Sequence, residues 1–159
     1  MKTAKNKQAQ PEKKLSTGAA AKEPFMPVVR ELVRAYQAFR SYSDADIRQL
    51  GLTSSQFDAL TTLGNTPGMT FKQLAEKTLT TKGELTGIID RLEKKGLVRR
   101  EVPPEDRRSF IAVLTPEGER VFQETFPAHI AHLKQRFEQL DRHELEEIRV
   151  ALEKIRNLF

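Results

Sequence analysis

The chain contains no cysteine among its 159 residues. That excludes a disulfide framework, cysteine-bound zinc and thiol-based redox sensing. Long apolar runs are missing too, since nothing approaches the roughly 18 uninterrupted apolar residues of a membrane span. The lysine-rich start lacks the apolar core of a secretory signal. These absences lead us to expect a cytoplasmic protein with no membrane partner. Catalytic constellations are equally scarce: there is no nucleophile–base set, no glycine-rich phosphate loop and no clustered acid pair. Neither enzyme activity nor a cofactor is expected. What the chain does have is charge, 31% of its residues against 38% hydrophobic. That balance suits a soluble globular domain with a helical bias, and the length suffices for one real core.

The net charge of +5 is unevenly placed. Residues 1–23 hold six lysines against two glutamates, and so four of the five net positive charges. With Leu15 as its one large apolar residue, this segment cannot offset its ordering entropy and reads as a disordered basic tail. Residues 24–159 read as one domain.

From Pro24 the sequence becomes periodic. Phe25, Val28, Val29, Leu32, Tyr36 and Phe39 trace one stripe of a helix from about Pro24 to Ser43. Thr53 with Gln56, Thr70 with Gln73, Thr81 with Glu84 and Asp141 with Glu144 have the spacing of reciprocal N-terminal caps. They open helices with inward Phe57, Leu60 and Leu63, then Phe71, Leu74 and Ala75, then Leu85, Ile88, Ile89 and Leu92. The third of these ends at "KKG", with Gly96 as its cap. "LVRREV" and "FIAVL" are β-prone runs joined by the charged turn "PPEDRRS", which is a hairpin pattern. Thr115 and Pro116 start another helix, which Pro127 is expected to kink. In the last helix Leu145, Ile148, Leu152, Ile155 and Phe159 have the spacing of a helix-pairing seam.

Gly83 and Gly87 interrupt this order. Each costs a helix roughly 1 kcal/mol relative to alanine, and both lie opposite the buried face. Short helix, tight turn, second helix and charged hairpin form the order of a helix-turn-helix with a β-wing, whose second helix enters the DNA major groove. The glycines would let that helix sit deep, with Thr81, Lys82, Glu84, Thr86 and Arg91 as the polar set around them. Glycine donates nothing to a base edge, so methyl and phosphate contacts should carry more of the binding.

The residues then resemble a known family. "LAEK" (Leu74–Lys77), "LTGIIDRLEKKGLVRR" (Leu85–Arg100), "DRR" (Asp106–Arg108) and "LTPEG" (Leu114–Gly118) closely resemble the core of the MarR-type winged-helix regulators, as does the helix start "LTSSQFDAL". The resemblance implies a mainly α fold with a small β-wing (α+β). It implies a DNA-binding lobe at about 53–114 and dimerisation helices at about 24–45 and 115–159. It also implies a homodimeric transcription factor, a repressor on a pseudo-palindromic operator in double-stranded DNA, released by a small-molecule effector. Residue by residue, Thr80, Thr81, Lys82, Gly83, Glu84, Thr86 and Gly87 match the groove-facing start of the recognition helix. Lys72 and Gln73 match the helix that packs across the DNA backbone. Asp90 matches an aspartate paired with an arginine beneath the wing, here Arg99 or Arg100. Asp106 and Arg108 match the wing pattern in which the aspartate holds an arginine in the minor groove, while Arg107 is assigned to phosphate. Two positions depart from the family: Gly87 stands where a polar or basic residue is common, and Thr78 where an aliphatic is usual.

Other readings compete. His129 and His132, three apart on one helix, could form a metal-responsive pair, although without cysteine they make a poor zinc site. Tyr36, Phe39 and Tyr42 fit packing as well as an effector cavity. A winged-helix module that binds protein would lose its basic residues, and Lys82, Arg91, Arg107 and Arg108 argue against that.

Overall fold

Side chains that reach back to their own backbone start most of the helices. The computed structural model describes residues 16–102 and 110–159. Its elements run α1 (Thr17–Ala20), α2 (Met26–Gln49), α3 (Ser54–Leu63), β1 (Met69–Thr70), α4 (Phe71–Lys77), α5 (Lys82–Lys94), β2 (Val98–Glu101), β3 (Ile111–Leu114), α6 (Pro116–Phe137) and α7 (Arg142–Arg156). The four expected reciprocal caps all form, at α3, α4, α5 and α7. Thr115 caps α6 with Pro116 in its first turn, and the helix runs unbroken through Pro127. No helix among the described residues is long and apolar enough to cross a membrane.

Contacts divide the chain between Arg40 and Ser41. In the first unit, Ser16 caps the single turn α1 inside the stretch read as disordered, and none of its residues is buried. The apolar stripe that runs from Phe25 into α2 is exposed in this unit: Phe25, Val28, Val29, Leu32, Val33, Tyr36 and Phe39 are all more than a third accessible. The helix itself outruns the expected end at Ser43 and reaches Gln49. The reason is Ile47, which is buried in the core of the second unit and extends the apolar spacing by another turn.

That core gathers Leu60 and Leu63 of α3, Leu74 of α4, and Leu85, Ile89 and Leu92 of α5 beneath a small sheet. The two hairpin strands pair antiparallel, Val98 opposite Leu114 and Glu101 opposite Ile111. A third strand, β1, joins the other edge of β3 through Met69 opposite Ala112. It is only two residues long and has no periodicity to announce it. Phe122 seats α6 on the core, stacked at 5.5 Å on Phe126. The first turn of α6 also approaches the backbone closely: a Cβ at Gly118 would fall 1.9 Å from the carbonyl oxygen of Leu97. In α7, by contrast, Leu145, Ile148 and Leu152 stay exposed on this chain.

Candidate nucleic-acid interface

Burial of Leu85, Ile88, Ile89 and Leu92 fixes which side of α5 faces out. The outer side presents Lys82, Gly83, Glu84, Thr86 and Arg91, with Gly87 half-buried among them. Packing inside the chain requires neither glycine. A Cβ at Gly83 would meet nothing within 4 Å, and one at Gly87 would meet only the Arg91 guanidinium at 3.6 Å, an ordinary contact. Arg91 therefore folds back across the bare backbone at Gly87. Together these residues floor an open groove of about 490 Å³, walled by Ser55 of α3 and rimmed by Leu79 and Thr80.

Most of the polar groups expected to read DNA have duties within the fold. The Glu84 carboxylate accepts from the Thr81 backbone N–H at 3.1 Å and from the Thr81 hydroxyl at 2.6 Å. Those hydrogen bonds hold its pKa below the usual carboxylate value. Gln73 is bound in the same way to Thr70, at 3.0 and 2.9 Å. The Thr86 hydroxyl donates to the Lys82 carbonyl at 3.1 Å and that of Thr80 to the Thr78 carbonyl at 3.1 Å. Thr78 likewise donates its hydroxyl to the Leu74 carbonyl at 2.8 Å, which satisfies it at the position usually held by an aliphatic. The free polar groups are cationic. Lys72, Lys82 and Arg91 are exposed and have no ion-pair partner among the described residues, whereas Arg99, Arg100 and Arg120 each do.

Arg100 ties the hairpin to both helices. It bonds Asp90 at 2.5 Å and Glu93 at 2.9 Å, and its guanidinium lies 5.3 Å from the Phe71 ring centre. Of the two arginines considered for Asp90, Arg100 is thus the partner; Arg99 bonds Glu101 and the Leu114 carbonyl instead. Asp106, Arg107 and Arg108 lie outside the described residues.

Two features escaped the sequence reading. Leu79, in the turn between α4 and α5, has φ +52° and is 95% exposed. A signal was present: "QLGL" and "KKGL" end helices with glycine, and "KTLT" has the same register with leucine in its place. The other feature is a buried chain of hydrogen bonds. His129 Nε2 is 3.2 Å from the Ser43 hydroxyl and His129 Nδ1 is 2.6 Å from Asp46. Both ring nitrogens are engaged, so His129 has none to offer a metal. His132 stacks on Tyr42 at 4.1 Å. Among the described residues no group of three or more metal-ligating side chains occurs.

The MarR family model matches residues 52–110, the segment that holds α3, the helix-turn-helix and the first hairpin strand, β2. The HTH-type transcriptional regulator MhqR of Bacillus subtilis is 30% identical over 72% of this chain and 79% of its own. This chain belongs to the MarR family. Among solved structures of the family's fold, that of Sco3205, a MarR family regulator of Streptomyces coelicolor in complex with DNA, is 26% identical with a TM-score of 0.75, covering 90% of this chain and 89% of that one. BpsR of Bordetella bronchiseptica, whose DNA binding is regulated by 6-hydroxynicotinic acid, is 26% identical with a TM-score of 0.74 over 84% and 95%. This MarR family member is accordingly a winged helix-turn-helix transcriptional regulator.

Proposed function

We propose that this regulator acts by binding and not by catalysis, in the cytoplasm. A homodimer would lay the start of α5 from each subunit in successive major grooves of a pseudo-palindromic operator. The carrying observation is the outer face of α5, where bare backbone at Gly83 and Gly87 is flanked by Lys82 and Arg91, neither with an acidic partner among the described residues. A polyanion supplies the missing counter-charge, and the missing side chains let it come close. Lys72 and Arg107 neutralise phosphate, Arg108 enters the minor groove with Asp106 holding it, and Asp90 supports the wing through Arg100. Residues 53–114 form the DNA-binding lobe, while helices at about 24–45 and 115–159 join the subunits. The exposed apolar stripes of α2 and α7 supply the surface for that joining. The likeness to BpsR supports release by a small molecule, which makes repression the natural mode.

Titration of the full chain against a duplex selected from a random-sequence library tests the reading. The affinity should fall steeply with salt, and Lys82→Ala should lower the salt slope by about one. Arg91→Ala should weaken binding and lower that slope as well. Equal affinity for selected and scrambled duplexes, with a salt slope near zero, would favour a protein-binding module instead.

A further inference from the structure

Three helices end in the same way. The N–H two residues past the last helical cap donates back to the final turn: Leu52 to Ile47 at 3.4 Å after α2, Leu97 to Leu92 at 3.0 Å after α5, and Thr80 to Ala75 at 3.0 Å after α4. This closure places the intervening residue in the left-handed region. After α2 and α5 that residue is glycine, Gly51 with φ +74° and Gly96 with φ +71°. After α4 it is Leu79, with φ +52°. Leucine is sterically strained in that conformation, whereas glycine is not. Nor does packing compensate, because the side chain is 95% exposed. The fold would be served better by glycine, so the leucine answers to something outside it.

We propose that Leu79 reads a base: its side chain rests on the 5-methyl group of a thymine in the major groove, once in each half-site. This inference rests on the DNA-binding reading and adds a residue to it. Leu79 rims the groove floored by Gly83, Gly87 and Arg91, and so lies on the face assigned to DNA. The face around it is polar and cationic, with Thr80, Lys82 and Arg91, and offers no broad apolar area to a protein partner or a second copy. Its complement is a polyanion with one small apolar spot. In the major groove the base edges show donors and acceptors throughout, and thymine adds the only methyl group. The bare backbone at Gly83 and Gly87 allows the approach that a side chain as short as leucine needs.

The probe is the duplex that the full chain selects from a random library, with each thymine replaced in turn by deoxyuridine, which lacks only the methyl group. For the wild type, a replacement in one half-site should weaken binding about four-fold, the worth of one buried methyl group, and one in each half-site about fifteen-fold. Leu79→Gly, which suits the backbone and removes the contact from both half-sites, should melt higher than the wild type, bind the thymine duplex about fifteen-fold more weakly and ignore those replacements. Wild-type affinity in Leu79→Gly overturns the proposal, as does a loss at the same deoxyuridine that persists in the variant. Either result leaves DNA binding standing. Selection of no preferred duplex overturns the DNA-binding reading and this inference with it.

Discussion

A glycine in a helix is informative when its own fold gives it no reason to be there. Gly118 has such a reason, because a Cβ would collide with the Leu97 carbonyl; Gly83 and Gly87 have none. Gly87→Ala should therefore stabilise the chain by up to about 1 kcal/mol, the helix-propensity difference, or roughly 2–4 °C in thermal melting for a protein of this size. The same variant should bind its operator more weakly, because the methyl group meets the groove wall. Stabilisation with unchanged affinity would leave the glycines without a role in binding. The two wing arginines should also separate. Arg107→Ala should weaken binding to all sequences, while Arg108→Ala should in addition erase the preference for A·T-rich flanks, whose narrow minor groove attracts arginine. Titrations against duplexes with A·T and G·C flanks make that distinction. At this scale the sequence showed which residues face out, and the cap spacing already marked Glu84 and Gln73 as bonded to Thr81 and Thr70. The hydroxyls of Thr80 and Thr86, bonded to the Thr78 and Lys82 carbonyl oxygens, carried no such signal.

The helices were legible because their ends are local chemistry. A cap such as Thr81 with Glu84 depends on residues three apart, and the buried stripe of α5 depends on spacings of three and four, so both survive the loss of all tertiary context. Strand β1 depends on partners more than forty residues away and left no trace in two residues. Past Ser43, α2 continued for the same kind of reason, because Ile47 packs against residues the local pattern does not contain. Gly118→Ala should cost about 1–3 kcal/mol through overpacking at the first turn of α6, read by denaturant unfolding. Glu84 has its pKa lowered in the folded chain, chiefly by the hydrogen bond from the Thr81 hydroxyl. Its contribution is therefore present above the unfolded glutamate pKa and fades as pH falls through the lower folded value. Glu84→Gln should be less stable than the wild type at neutral pH, and the difference should shrink in acid. A gap that stays constant to low pH would mean that the ionised cap contributes nothing.

At the scale of the whole molecule, the apolar faces left open on one chain have the greatest consequence. Ile148 and Leu152 are 45% and 49% exposed, and in a monomer their replacement by glutamate would change little. In the homodimer proposed here, Ile148→Glu combined with Leu152→Glu should abolish the two-chain species in sedimentation equilibrium. A wild type that sediments as one chain would contradict the assembly. The seam spacing in α7 made a pairing face legible in the sequence, but spacing alone does not show whether the same chain covers it; the exposure of Leu145, Ile148 and Leu152 shows that none of the described residues does. In the homodimer proposed here two copies of the α5 face read one operator, and hydroxyl-radical footprinting of the full chain on its selected duplex reads that arrangement out. The arrangement predicts two protected segments related by a dyad, with their centres one helical turn or about 10 base pairs apart. A single protected segment, or protection that ignores sequence, would contradict it.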